Sequence, residues 1–168
     1  MMTMLNRNNM SIKTFCVLLI SLLFVSFASC GDSDSKDVSY PVISDTLSTA
    51  SPQECDRFYR GETIHFHALF ADNIELGNFN IEVHNNFEHH SHGTSATDCE
   101  LDPVKPATSK VWVYNESFPI PANSAVHDAF VDIPIPDDID TGDYHFVVRL
   151  TDAAGWQSFK AYSVKILE

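Results

Sequence analysis

Between Tyr40 and Glu168 no apolar spacing typical of an α-helix persists beyond a turn or two, whereas apolar and polar residues alternate in short runs. Alternation is the strongest restriction on this chain, because a period of two places every second side chain on one face of a strand. Ile64, Phe66, Ala68 and Phe70 alternate within 62–71, and Phe79, Ile81 and Val83 repeat the pattern. Val111, Val113 and Phe118 mark a third run, followed by 126–135, 144–150 and 159–167. A run at 38–43 completes the set. Asp, Asn, Gly and Pro separate these runs. Pro119, Pro121, Pro134 and Pro136 fall at or near run ends, where a missing N–H removes no central ladder bond.

About seven short strands at this spacing predict an all-β domain, an immunoglobulin-like antiparallel β-sandwich over residues 40–168. Roughly 130 residues form one domain and suffice for its own core. The polar stretch 88–109, with Gly93, Pro103 and Pro106, interrupts the strand pattern as a His-rich insertion. An insertion of that length inside a compact sandwich points to function, decoration being the alternative.

The first thirty residues have a different character. Arg7 and Lys13 give 1–14 a basic start without acids, and Phe15 to Ala28 form an uncharged apolar run. A membrane-spanning helix needs about 20 such residues, so this shorter run reads as a signal-peptide core. Phe27-Ala28-Ser29-Cys30-Gly31 resembles the bacterial lipobox, which makes 1–29 a lipoprotein signal peptide and Cys30 the lipidated residue. Plain secretion with cleavage near Ala28 is the alternative. Residues 30–39 then form an acidic flexible tether whose Asp32 and Asp34 resemble the surface-export signal of Bacteroidetes lipoproteins. The expected location is the outer membrane, lipid-anchored and surface-exposed, with a periplasm-facing anchor as the alternative.

Loss of Arg7 and Lys13 with the signal peptide leaves eight Lys and Arg against 23 Asp and Glu, a formal charge of −15. Nucleic acid is excluded as a partner, since phosphates demand a basic face. Electrostatic docking to anionic lipid is excluded likewise, leaving the acyl chains as the membrane contact. A metal-uptake or other surface protein is the partner class left open, and oligomeric state is not specified.

The histidines carry the chemistry. His84, His89, His90 and His92 lie within nine residues that also hold Glu88, and His65 and His67 lie about twenty residues upstream. In an immunoglobulin strand order, the start of 62–71, the end of 79–87 and the start of 144–150 share one end of the sandwich. His65, His67, His84 and His145 would therefore converge there with the 89–92 segment, whereas His127 lies at the other end and reads as structural. His65 and His67 sit about 6.5–7 Å apart on one face, within reach of one metal. They point outwards from one sheet, however, and His84 and His145 from the other, beyond the roughly 10 Å inter-sheet spacing. Only the 89–92 segment can bridge that distance, so one site built from a subset and two separate sites both remain open.

Imidazoles accompanied by carboxylates suit zinc, with copper and nickel close behind. Glu82, Glu88 and Asp98 are placed to complete the shell or orient imidazole N–H groups. Asp137-Asp138-Ile139-Asp140 lacks the Gly and Glu of a calcium loop and reads as a solvated turn. Cys55 and Cys99 are the cysteines left beyond Cys30; in an oxidising compartment they predict a disulfide, with thiolate ligation as the alternative.

The run His65-x-His67, Phe70-Ala71-Asp72-Asn73, Leu76 and Val83-His84-Asn85-Asn86-Phe87-x-His89-His90-x-His92 resembles a Bacteroidetes lipoprotein family, domain of unknown function 4625. The likeness extends over about 40–167 and implies an Ig-like lipoprotein without an assigned activity. The turns at Asp72-Asn73 and Asp152-Ala153-Ala154-Gly155 resemble corners common to bacterial Ig-like modules, features of fold rather than activity. Two functions compete: a lipid-anchored module binding zinc or copper, and a structural, adhesion or glycan-accessory module without metal. Exposure of Trp112, Tyr114 and Trp156 on one patch would favour the second. An enzyme is not expected, because HExxH, GxSxG and any Ser/His/Asp array are missing from the chain.

Overall fold

Eight strands and no helix occur among the described residues, which are 36–91, 99–107 and 110–168 of a computed structural model. The signal peptide, Cys30, most of the tether, His92 and Asp98 lie outside the described residues. In chain order the strands are β1 (Val42–Ser44), β2 (Arg57–Tyr59), β3 (Thr63–Ala71), β4 (Leu76–Asn85), β5 (Tyr114–Pro119), β6 (Val126–Pro134), β7 (Gly142–Asp152) and β8 (Gln157–Leu167). One sheet has the order β1-β3-β6 and the other β2-β8-β7-β4-β5, a sandwich-like all-β arrangement.

The long strands follow the alternation. On β3, Ile64, Phe66, Ala68 and Phe70 are buried, while on β4 Phe79, Ile81 and Val83 face the same interior. Phe66 stacks at 5.7 Å on Phe146 of β7 and at 6.2 Å on Phe79 of β4, so aromatic rings join the two sheets. Near the start of β7 the buried Tyr144 donates its hydroxyl to the Asp140 carbonyl at 2.6 Å, four residues upstream. That contact has the form of the tyrosine corner of immunoglobulin-type sandwiches.

Two features depart from the sequence reading. The strand β2 is an addition, and its ladder with β8 is parallel. Three residues cannot display alternation, and their placement comes from long-range bonds such as Cys55 N–H to the Ser163 carbonyl at 2.9 Å. Val111 and Val113 lie outside β5; between them Trp112 is buried, its N–H directed at the Tyr144 hydroxyl.

Strand β4 runs from Leu76, opposite Asp152, to Asn85, opposite Tyr144, so it has two chemically distinct ends about 30 Å apart. Histidines collect at the Asn85 end and carboxylates at the Leu76 end. At the Asn85 end the first seven residues of β7 are all buried, on both faces of the strand. The outward face is covered because residues 86–91 and 99–105 fold back across it. Asp102 N–H donates to Asp143 Oδ2 at 2.8 Å, and the Lys105 N–H to the Phe87 carbonyl at 3.1 Å. A Cys55–Cys99 disulfide, expected from the cysteine count, ties this segment to the residues before β2.

Candidate metal centre

His84 on β4 and His145 on β7 occupy directly opposed register positions, which brings their side chains together on the outer face of the five-stranded sheet. Their rings meet edge to face at 5.6 Å. His90 closes the group from the segment after β4, with ring centroids 5.3 Å from His84 and 5.0 Å from His145. Nitrogen atoms from all three rings lie within 4.8 Å of one another. The Nε2 atoms of His84 and His90 are 3.2 Å apart. Nitrogens sharing a tetrahedral zinc at about 2.0–2.1 Å stand roughly 3.3–3.4 Å apart, so the His84–His90 pair is near ligand spacing, with a His145 nitrogen within 4.8 Å of it.

Burial is graded across the group: His145 is 5 % exposed, His84 is half-buried, and His90 faces solvent. The outward orientation expected for His145 is thus correct for its face of the sheet, but the folded-back segment removes it from water. A backbone device explains why His90 and not His89 joins the pair. His89 has a φ of +57°, and its N–H closes a turn onto the Asn86 carbonyl at 3.1 Å. The left-handed residue turns the chain so that the His89 ring lies 3.6 Å from buried Asp143.

Glu82, expected to orient an imidazole, is adjacent to His84 in the folded chain. It lies two residues before His84 on the same face, with Oε1 3.0 Å from His84 Nδ1 and Oε2 accepting from Arg149 at 2.6 Å. The other ring nitrogen, His84 Nε2, lies 3.2 Å from His90 Nε2. Burial by itself raises the Glu82 carboxyl, but the Arg149 hydrogen bond and charge, helped by His84, outweigh it and hold the group below the usual carboxylate range. Stability from a lowered carboxylate is present above its unfolded value of about 4.3 and disappears as pH falls through the folded value. Urea midpoints should therefore place Glu82→Gln below the wild type at neutral pH, with the gap closing towards about pH 3. Equal midpoints at neutral pH would contradict the role. Arg149 was not singled out from sequence; its one signal is that it shares the outward face of β7 with His145.

The remaining predicted ligands are elsewhere. His65 and His67 lie on β3, in the other sheet. His65 Nδ1 meets Asp132 at 2.7 Å; His67 uses Nε2 on Asp128 at 2.7 Å and Nδ1 on the Thr49 carbonyl at 2.9 Å. Each imidazole already has a carboxylate across the β3–β6 ladder, and the sandwich interior separates both from His84. Glu88 is exposed, and His127 packs beside Phe70 and Phe79 as a structural residue.

A family model described as a domain of unknown function, DUF4625, matches residues 28–167. The chain belongs to that family. No curated protein matches this DUF4625 chain. Among solved structures it is similar to the sporulation control protein Spo0M from Bacillus subtilis, at 14 % identity and a TM-score of 0.41, covering 78 % of this chain and 51 % of that one. A DUF4466 family protein from Parabacteroides merdae gives 12 % identity and a TM-score of 0.43, covering 77 % and 46 % respectively. The DUF4625 chain spans about half the length of these two proteins.

Proposed function

We propose that this protein is a lipid-anchored cell-envelope module, not an enzyme, that binds a divalent transition metal, zinc or copper, through His84, His90 and His145. The observation that carries the reading is the convergence of three imidazole nitrogens within 4.8 Å, drawn from two strands and a loop. Three imidazole nitrogens, with the Glu82 carboxylate beside His84, suit Zn²⁺ and Cu²⁺, and Cu²⁺ binds more tightly in the usual order. Three protein ligands leave an exchangeable position beside solvent-facing His90, which fits capture and transfer to an uptake partner better than permanent structural storage. The envelope location rests on the signal-peptide and lipobox pattern, and a Cys55–Cys99 bridge is in keeping with an oxidising compartment. Trp112 is 6 % exposed and Trp156 bonds the Asp37 carbonyl, so Trp112, Tyr114 and Trp156 offer little support for an aromatic docking patch.

Calorimetric titration of the full chain with Zn²⁺, Cu²⁺ and Ni²⁺ tests the proposal. Wild type is expected to bind one ion at sub-micromolar Kd, about 8 kcal/mol or more. His84→Ala/His145→Ala should lose at least about a hundredfold in affinity, while His65→Ala/His67→Ala stays at wild-type level. Binding should weaken below about pH 6 as protons compete for imidazole. Wild-type affinity no better than about 100 µM, or full affinity in the His84/His145 variant, would overturn the reading.

A further inference from the structure

At the Leu76 end of β4, far from His84, His90 and His145, one oxygen each from Asp37, Asp72 and Asp152 lies within 4.8 Å of the others. Each carboxylate is held by the chain around it. Asp72 Oδ2 accepts the Ile74 and Glu75 N–H groups at 2.8 and 2.9 Å, forming the β3–β4 turn. Asp152 Oδ1 accepts the Trp156 N–H at 2.8 Å, forming the β7–β8 turn. Asp37 Oδ1 takes the Ser39 N–H at 3.0 Å and the Asn73 amide at 3.3 Å, and its carbonyl accepts the Trp156 indole N–H at 2.9 Å.

These bonds account for one oxygen of each turn carboxylate and not for the other. Asp72 Oδ1 and Asp152 Oδ2 are both buried, and among the described residues no hydrogen-bond donor reaches either. Asp152 as a whole is 3 % exposed. A buried carboxylate oxygen without a donor is costly, and two further carboxylates beside it add repulsion. A divalent cation would offset both. The donors are oxygen throughout, which selects a hard ion. Carboxylates fixed by two turns and the segment before β1 suit Ca²⁺, which accepts flexible oxygen geometry at about 2.3–2.6 Å, whereas Mg²⁺ demands a near-ideal octahedron at about 2.0–2.1 Å.

We infer that Asp37, Asp72 and Asp152 form a Ca²⁺ site that fastens the chain ahead of β1 to the β3–β4 and β7–β8 turns. The site is independent of the histidine cluster in position, donor type and ion. Asp37 lies seven residues after Cys30 in the sequence. Water would complete the six to eight oxygens that calcium takes.

Terbium, a luminescent stand-in for calcium, tests the inference on the full chain, because Trp156 touches both Asp37 and Asp152 and can sensitise it. The expected result is saturable sensitised emission that Ca²⁺ displaces and equimolar Mg²⁺ does not. Asp37→Asn and Asp152→Asn should each weaken apparent Tb³⁺ affinity at least about tenfold, since calcium affinity follows ligand charge. His84→Ala/His145→Ala should leave the emission unchanged. Asp37 lies outside every strand, so Asp37→Asn decides the matter even if Asp152→Asn fails to fold. No saturable emission from wild type, or equal affinity in Asp37→Asn, would overturn the site.

Discussion

Phe66→Ala is expected to lower the unfolding free energy by about 3–5 kcal/mol, a large share of the roughly 5–15 kcal/mol that holds a domain of this size. Phe66 is 2 % exposed and packs against Phe70 of its own strand and against Phe79 and Phe146 across the sandwich. Removing the ring discards its transfer free energy and leaves a cavity that three other rings can only partly fill. Phe66→Leu keeps most of the volume and should cost well under half as much. Urea denaturation of both variants beside wild type provides the measurement. A loss below about 1 kcal/mol for Phe66→Ala would show that the sheets are not joined through this cluster. Because the substitution lies in the interior, a folded Phe66→Ala should match the wild type in the proposed zinc binding.

The Cys55→Ser/Cys99→Ser variant should lose a comparable amount by a different route. The bridge joins residues 44 apart, for which loop-closure entropy amounts to about 4 kcal/mol, with about 2–4 kcal/mol typical in practice. Here the effect extends to the site. The segment that carries His90 leaves β4 at Asn85 and is fastened at Cys99, with Asp102 and Lys165 as a further tie. Loss of the bridge leaves His84 and His145 in place on their ladder but loosens His90, the third proposed ligand. Calorimetry at low temperature, where the variant still folds, should therefore show weaker zinc binding, unlike Phe66→Ala. Undiminished stability together with undiminished zinc affinity would refute both halves of this account.

The alternation at Ile64, Phe66, Ala68 and Phe70 was enough to place β3 and its core face, because a period of two is a local property of the chain. The same holds for β4, β6, β7 and β8, whose extents differ from expectation by a few residues. Strand β2 was invisible, since three residues carry no period and its parallel partner lies more than a hundred residues away in sequence. For the site, residue type was legible and membership was not. Clustered imidazoles suggested a metal site, yet His65 and His67 are paired with Asp132 and Asp128 across their own ladder. Asp72 and Asp152 were read as turn residues, which they are; that both turns meet Asp37 is a fact of the folded chain.

The sequence by itself determined an all-β domain, its core-facing residues, the Cys55–Cys99 pair and the imidazole character of the histidine-rich end. Each follows from local periodicity or composition. Only the tertiary structure decided which histidines meet. That outcome rests on the register of β4 against β7, which sets His84 opposite His145, and on the left-handed turn at His89 that delivers His90. Register and loop closure are won by packing between residues distant in the chain, and no local pattern encodes them.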